Sequence, residues 1–339
     1  MKILERFIAV DNGGLWPQLR LACEGEIYMT GFNRPSHGKT QGDIDCWKSA
    51  DGGRLFSYAG TPVRHEPGCN RMNNVSGFAQ NGDFLTIVSG YSNRPEIIYD
   101  DEKYLSEYFY KSEVLVPVAA RSADGGKTYS AKPLNYCFAG ESIIPFGEII
   151  GIGNGALAAS IYVLGAVKTV DFKNCKRRAG ILVSRDDGDT WGEFYEIDRD
   201  INETSILYLD GNRMIAAART AEKQHIRLYM SNDGGVSWKF MEDGSMINQM
   251  PASLTRLNDG RILMCYGVRN NQKSIIFRTA DERGENWSEP SVLAVLDGAG
   301  DMGYPSSVQL GDGTIVTAYY ADGSTVHNRY HTGIIRWEI

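Results

Sequence analysis

Five copies of one octapeptide recur along the chain, and no other feature narrows its fold as far. They read SADGGRLF at 49–56, SADGGKTY at 122–129, SRDDGDTW at 184–191 and SNDGGVSW at 231–238, with a fifth, TADERGENW at 279–287, carrying one inserted residue. The shared form S-x-D-x-G-x-T-W is hairpin-turn chemistry. The Asp side chain accepts hydrogen bonds from its own turn, the Gly supplies a positive φ, and the closing aromatic packs beneath. One copy would say little, but five in one chain specify a repeated β unit.

A second pattern alternates with the first. Short Gly turns separate runs of apolar residues around Gly25, Gly82, Gly147, Gly211, Gly260 and Gly313, as in SLTRLNDGRILMCY, at intervals of 57, 65, 64, 49 and 53 residues. One octapeptide follows each of these hairpins except the last. A unit of this length holding two hairpins makes a four-stranded antiparallel sheet, the content of one propeller blade. The count predicts an all-β, six-bladed β-propeller of four-stranded antiparallel blades, forming a single domain over residues 1–339. The tail VHNRYHTGIIRWEI is read as the strand that closes the ring, paired with the N-terminal ERFIAV. The turns also give a use to the 38 Gly among 339 residues, above a background of about 7 %.

Composition excludes several function classes. With 42 % hydrophobic and 23 % charged residues the chain is an ordinary globular one. A net charge of −7 lacks the cationic excess that phosphate backbones require, so nucleic acid is not expected as a partner. No apolar run spans a bilayer, and MKILERFIAVDNGG is broken by Glu5 and Arg6; no membrane association and a cytoplasmic location are expected, or a secreted one if a leader was trimmed. The six cysteines stand far apart and are read as free buried thiols. The segment 93–113 is the best candidate for a helix or an aromatic excursion, with Tyr99, Tyr104, Tyr108 and Tyr110 expected to pack against a neighbouring blade.

The octapeptides resemble the Asp-boxes, or BNR repeats, of sialidases and related six-bladed glycoside hydrolases, and the resemblance covers the chain from Gly25 to Tyr320. It implies a retaining exo-glycosidase that acts without a cofactor on a terminal acidic sugar of an oligosaccharide or glycoconjugate. Such a site needs an arginine cluster for the sugar carboxylate, a Tyr nucleophile, a Glu that takes its proton, and an acid for the leaving oxygen. In NETSILYLDGNRMIAAAR, Glu203 and Arg219 match the activating base and one cluster arginine. Arg269, in ILMCYGVRNN, matches another, and Tyr304, in DMGYPSSVQL, is similar to the nucleophile segment.

The first blade departs from the resemblance. Sialidases carry an Arg in an aromatic-R-I-P segment, but the corresponding stretch here is GLWPQLRL, with Leu15 and Trp16 before Pro17. Arg34 or Arg71 is expected to substitute from a loop. The loop GFNRPSHGKTQGDIDCW holds the acid/base, either Asp43 or its rival His37, and HEPGCNRMNN adds a second polar cluster with His65 and Glu66. Two other readings stand beside the hydrolase. One is a propeller glycosidase or lyase using His/Asp chemistry on a uronic acid or deoxysugar; the other is a non-catalytic carbohydrate-binding propeller. No metal is expected, since His327 and His331 are the one close histidine pair and no nearby acid completes a set.

Overall fold

A computed structural model describes residues 1–23, 25–97, 112–137, 140–165 and 177–339. The four tyrosines of the 93–113 segment, and Cys175, lie outside the described residues. The described chain is a succession of antiparallel strands. After β1 (Lys2–Asp11), the first sheet is β2 (Leu15–Leu21), β3 (Ile27–Phe32), β4 (Ile44–Ser49) and β5 (Ser57–Val63). The next strands are β6 (Asn73–Phe78), β7 (Phe84–Ser89), β8 (Val118–Ser122) and β9 (Ser130–Pro133), then β10 (Ile143–Ile152), β11 (Ala156–Val163), β12 (Arg178–Ser184) and β13 (Glu193–Arg199). They are followed by β14 (Ile201–Asp210), β15 (Arg213–Thr220), β16 (Ile226–Ser231) and β17 (Lys239–Asp243), and by β18 (Gln249–Arg256), β19 (Ile262–Val268), β20 (Ser274–Ala280) and β21 (Ser291–Val295). The last sheet joins β22 (Met302–Gln309), β23 (Ile315–Ala321) and β24 (His331–Glu338) to β1.

The architecture is an all-β propeller. Its inner strands are tied in a ring by side chains. Gln18 Nε2 donates to Asn74 O, Leu254 N to Ser205 Oγ, Thr255 Oγ1 to Ser307 O, and Leu19 N to Ser306 Oγ, which returns the ring from β22 to β2. Pairing of β1 with β24, from Lys2↔Glu338 to Asp11↔His331, closes the last sheet as the tail predicted. This closure fastens the two ends of the chain to each other, with β1 as the outermost strand of that sheet.

Six separate four-stranded blades were expected, and the sheet count corrects this to four. The other eight strands form one sheet, because β6 and β10 pair in parallel at Val75↔Gly147, Ser76↔Glu148 and Gly77↔Ile149. Two antiparallel meanders, β6–β9 and β10–β13, thereby share an inner edge. Gly77 makes the approach possible, since a Cβ there would lie 2.0 Å from Ile149 O. A second correction concerns Gly147, read as a hairpin turn. It lies inside β10 with φ 99°, between the register points Pro145↔Ile161 and Ile149↔Ala159, and is a bulge. The turn itself is the GNG of 153–155.

The octapeptides all sit between the third and fourth strands of their meanders. In the copy at 184–191, Ser184 Oγ donates to Asp186 Oδ1 at 2.8 Å and accepts from Gly188 N, while Asp186 accepts from Thr190 N and Oγ1 at 2.8 and 2.6 Å. The closing Trp191 is buried. The second strands β7, β11, β19 and β23 are buried at every position, because both their faces meet a neighbouring sheet; they read as continuous apolar runs. Fourth strands such as β9 are exposed throughout. The core therefore lies between sheets, as where Ile215 and Leu228 meet Leu254 and Met264.

Candidate active site

In an antiparallel meander the start of the first strand and the end of the second lie at the same end. Around the ring this gathers the N-terminal residues of β2, β14 and β22 with the C-terminal residues of β15 and β19. The inner strands are bulged there, with register shifts between Leu15 and Gln18, Ile201 and Thr204, and Gly303 and Ser306. A bulge re-aims the side chain it carries, and these three carry Trp16, Glu203 and Tyr304. Trp16 and Tyr304 have φ of 55° and 51°, a strained conformation for aromatic residues and one concentrated at functional sites.

The result is a cavity of about 360 Å³ lined by Trp16, His37, Glu203, Arg219 and Tyr304, with Phe146 and Asn202 on its walls. Tyr304 Oη donates to Glu203 Oε1 at 2.6 Å. Arg219 Nη1 donates to Glu203 Oε2 at 2.5 Å and to Tyr304 Oη at 3.2 Å. Burial and the Glu203 charge push the Tyr304 phenol up, against the opposing effect of Arg219 and Arg269, so the hydroxyl keeps its proton at neutral pH. Burial alone would lower the Arg219 guanidinium, but Glu203 and Tyr304 outweigh it and the net shift is upward.

Arg269 lies over the face of the Tyr304 ring, 5.6 Å from its centroid. Its Nη1 pairs with Asp301 Oδ1 at 3.1 Å and its Nη2 donates to Tyr320 Oη at 3.3 Å. Tyr320 Oη donates in turn to Asp301 Oδ2 at 2.7 Å, and His37 Nδ1 reaches the same oxygen at 2.6 Å. Burial would raise the Asp301 carboxyl, yet the His37 hydrogen bond and the Arg269 charge hold it at about 2. Some polar atoms at the cavity are buried without a hydrogen-bond partner among the described residues: Arg219 Nε, Asn73 Oδ1 and Asn202 Oδ1. Each keeps an unmet hydrogen-bonding capacity at the cavity wall.

The predicted residues thus divide. Tyr304, Glu203, Arg219 and His37 share the cavity, and Arg269 backs it. Asp43 is placed elsewhere: the loop after β3 turns it onto His65, whose N and Nδ1 lie 2.6 and 2.7 Å from Asp43 Oδ1. Arg71 donates to Glu66 Oε1 at 2.6 Å and to Val116 O at 3.0 Å, and does not line the cavity. Arg34 is exposed, outside the lining. Trp16 stands at the place of the missing first-blade arginine, its ring centroid 5.0 Å from that of His37 and 6.3 Å from that of Tyr304.

Residues missed from sequence include Asp301 and Arg94. Arg94 is buried at the cavity and donates to Gly38 O at 3.0 Å, and burial pulls its guanidinium down to about 10. One signal was present for it. Arg94 follows β7 as Arg269 follows β19, each just past a second strand.

Comparison with known proteins places the fold in a wider group. The profile of the BNR repeat-like domain matches residues 108–317. No curated protein sequence matches the chain. Among solved structures, a protein of unknown function from Dyadobacter fermentans superposes with a TM-score of 0.82 at 20 % identity, over 99 % of this chain and 98 % of that one. The Hadza microbial sialidase Hz136 gives 0.75 at 14 %, over 98 % and 68 %. A Penicillium chrysogenum alpha-L-arabinanase complexed with arabinobiose gives 0.62 at 12 %, over 99 % of both. At such identities the likeness is one of fold.

Proposed function

Since the chain belongs to the BNR repeat-like domain family, we propose that it is a retaining exo-glycoside hydrolase of the sialidase type, with Tyr304 as nucleophile, Glu203 as its base and Arg219 orienting the substrate. The observation that supports this reading is the 2.6 Å hydrogen bond from Tyr304 Oη to Glu203 Oε1, held inside a cavity by Arg219. A phenol that rests protonated is a weak nucleophile until a base takes its proton as the bond to the anomeric carbon forms. Glu203 is in place for that transfer. Arg219 Nη1, 3.2 Å from the phenol oxygen, stabilises the negative charge that develops on it.

The substrate class proposed is a terminal acidic sugar, whose carboxylate the guanidinium of Arg219, a lining residue of the cavity, would bind. A second reading, a neutral sugar, is favoured by two features. Trp16 replaces an arginine, and Asp301 already occupies Nη1 of Arg269. A panel of 4-methylumbelliferyl glycosides, including those of N-acetylneuraminic acid and arabinofuranose, separates the two. Release from the acidic sugar with retained anomeric configuration supports the first reading, release from the neutral sugar alone supports the second, and binding with no release from any sugar overturns the hydrolase.

A further inference from the structure

The nucleophile pair leaves the reaction without a proton donor for the departing oxygen, and the aspartate expected there faces His65. A different acid lines the same cavity. His37 and Tyr304 both pack on Trp16, the His37 ring edge-on at 5.0 Å and the Tyr304 ring at 6.3 Å between centroids, and the His37 side chain is 42 % exposed, accessible to a leaving group and to water. Its Nδ1 is 2.6 Å from Asp301 Oδ2. Asp301 is fixed on its other sides by Arg269 Nη1 at 3.1 Å and by the Tyr320 hydroxyl at 2.7 Å. Held ionised, Asp301 can only accept, so Nδ1 of His37 carries a proton and Nε2 is the nitrogen left to exchange one.

The connectivity is more specific than a surface ion pair. Asp301 is in the approach to β22, three residues before Tyr304, while His37 comes from the connection between β3 and β4 on the adjoining sheet. His37 itself has φ 41°, an uncommon conformation for a residue with a side chain. Arg269 touches both halves of the arrangement: it pairs with Asp301 and lies over the Tyr304 ring. The acid's support and the nucleophile are therefore positioned by one guanidinium. Neither Asp43 nor Glu66 lines the cavity.

We propose that His37 is the acid/base of the site and Asp301 its positioning residue. This rests on the reading of Tyr304 and Glu203 given above. In the first half-reaction the bond between anomeric carbon and leaving oxygen breaks as the Tyr304 oxygen bonds to that carbon. The phenol proton passes to Glu203, and the Nε2 proton of His37 passes to the leaving oxygen. In the second, neutral His37 takes a proton from water as the water oxygen attacks the anomeric carbon. The bond to Tyr304 breaks, and Glu203 returns the phenol proton. Each group ends as it began, with one glycoside and one water consumed.

The test uses two substrates of the sugar turned over in the glycoside panel: its methyl glycoside, which needs a protonated leaving group, and its glycosyl fluoride, which needs far less help. His37→Ala and Asp301→Asn are expected to lower kcat/KM, which reports formation of the glycosyl-enzyme and not its shared hydrolysis, by about 10²-fold or more on the methyl glycoside and by less than about tenfold on the fluoride. Azide added to His37→Ala should restore turnover of the fluoride by replacing the water that no longer has a base, giving a glycosyl azide of retained configuration. Equal losses of kcat/KM on both substrates, or no loss on the methyl glycoside, would overturn the assignment of His37. An Asp301→Asn enzyme with wild-type rates on both would overturn that of Asp301. Tyr304→Phe keeps the two ideas apart, since it should lose both substrates alike. If it stays active while His37→Ala shows the selective loss, the nucleophile reading fails and the acid stands. A wild-type protein that cleaves neither substrate overturns both.

Discussion

The Tyr304 hydroxyl and the Glu203 carboxylate, 101 residues apart in the chain, meet at 2.6 Å at one end of the propeller. They come from equivalent places, near the starts of the inner strands β14 and β22, and each sits in a bulge that turns its side chain inward. Arg219 bonds both, so the three form one unit, and changes to any of them should act on the same step.

Tyr304→Phe removes the proposed nucleophile oxygen and little else, because the ring keeps its edge contacts with Phe146 at 5.6 Å and Trp16 at 6.3 Å. Turnover should fall by about 10³-fold or more. The affinity for a non-hydrolysable glycoside, measured by calorimetry, should stay within about threefold, a shift of about 0.7 kcal/mol.

Glu203→Ala does two things. It withdraws the base, and it leaves a mostly buried Arg219 without its carboxylate. The loss of stability in urea unfolding should be about 3 kcal/mol, the scale for removing one partner of a buried pair. Glu203→Gln, which keeps two polar atoms for Arg219 and Tyr304, should be inactive yet lose less than half as much stability.

Asp301 makes stability depend on acid. Its carboxyl is held at about 2 in the folded protein against an ordinary value near 3.8, so the contribution is present above about pH 4 and disappears as the pH falls through 2. The full difference amounts to about 2 kcal/mol. Unfolding midpoints at pH 5 and pH 2 should therefore differ less in Asp301→Asn than in the wild type. Equal acid sensitivity of the two proteins would contradict this.

The octapeptides should matter for stability alone. Asp186→Ala deletes the acceptor for Ser184 and for both donors of Thr190, at an exposed turn far from the cavity lining. A loss of about 1 kcal/mol is expected, with KM and kcat unchanged. An altered KM would mean that the turn bears on the site.

How far such features can be read without a structure differs from one to the next. The octapeptides and the tail strand were legible because turn chemistry and ring closure are local patterns repeated along the chain. Glu203, Arg219 and Tyr304 were legible only through resemblance, since nothing local marks a Tyr that precedes a Pro as reactive. The sharing of an edge by β6 and β10 was not legible: it rests on three residue pairs and on the missing Cβ of Gly77. The PFGE of 145–148 has the look of a turn, and only the pairing on both sides shows a bulge. Asp301 was missed because its role is defined by Arg269 and His37, which reach it from other sheets. Asp43 follows the expected hairpin, but its loop folds back on His65.

Trp16 offers a direct reporter of the site. Of the six tryptophans, it alone lines the cavity; Trp191 closes an octapeptide turn, Trp238 donates to Gly235 O within another, and Trp337 is wholly buried in β24. A sugar entering beside Tyr304 must meet the Trp16 ring and change its polarity and contacts. Intrinsic emission should therefore shift on titration with a bound glycoside, and the shift should vanish in Trp16→Phe while Trp238→Phe preserves it. Because an aromatic face binds a sugar ring by its C–H surface and not by charge, Trp16→Phe should weaken an acidic and a neutral sugar by similar factors. If only the neutral sugar loses affinity, Trp16 sets specificity, and the reading in which it displaced a carboxylate-binding arginine in favour of an uncharged substrate is the one that stands.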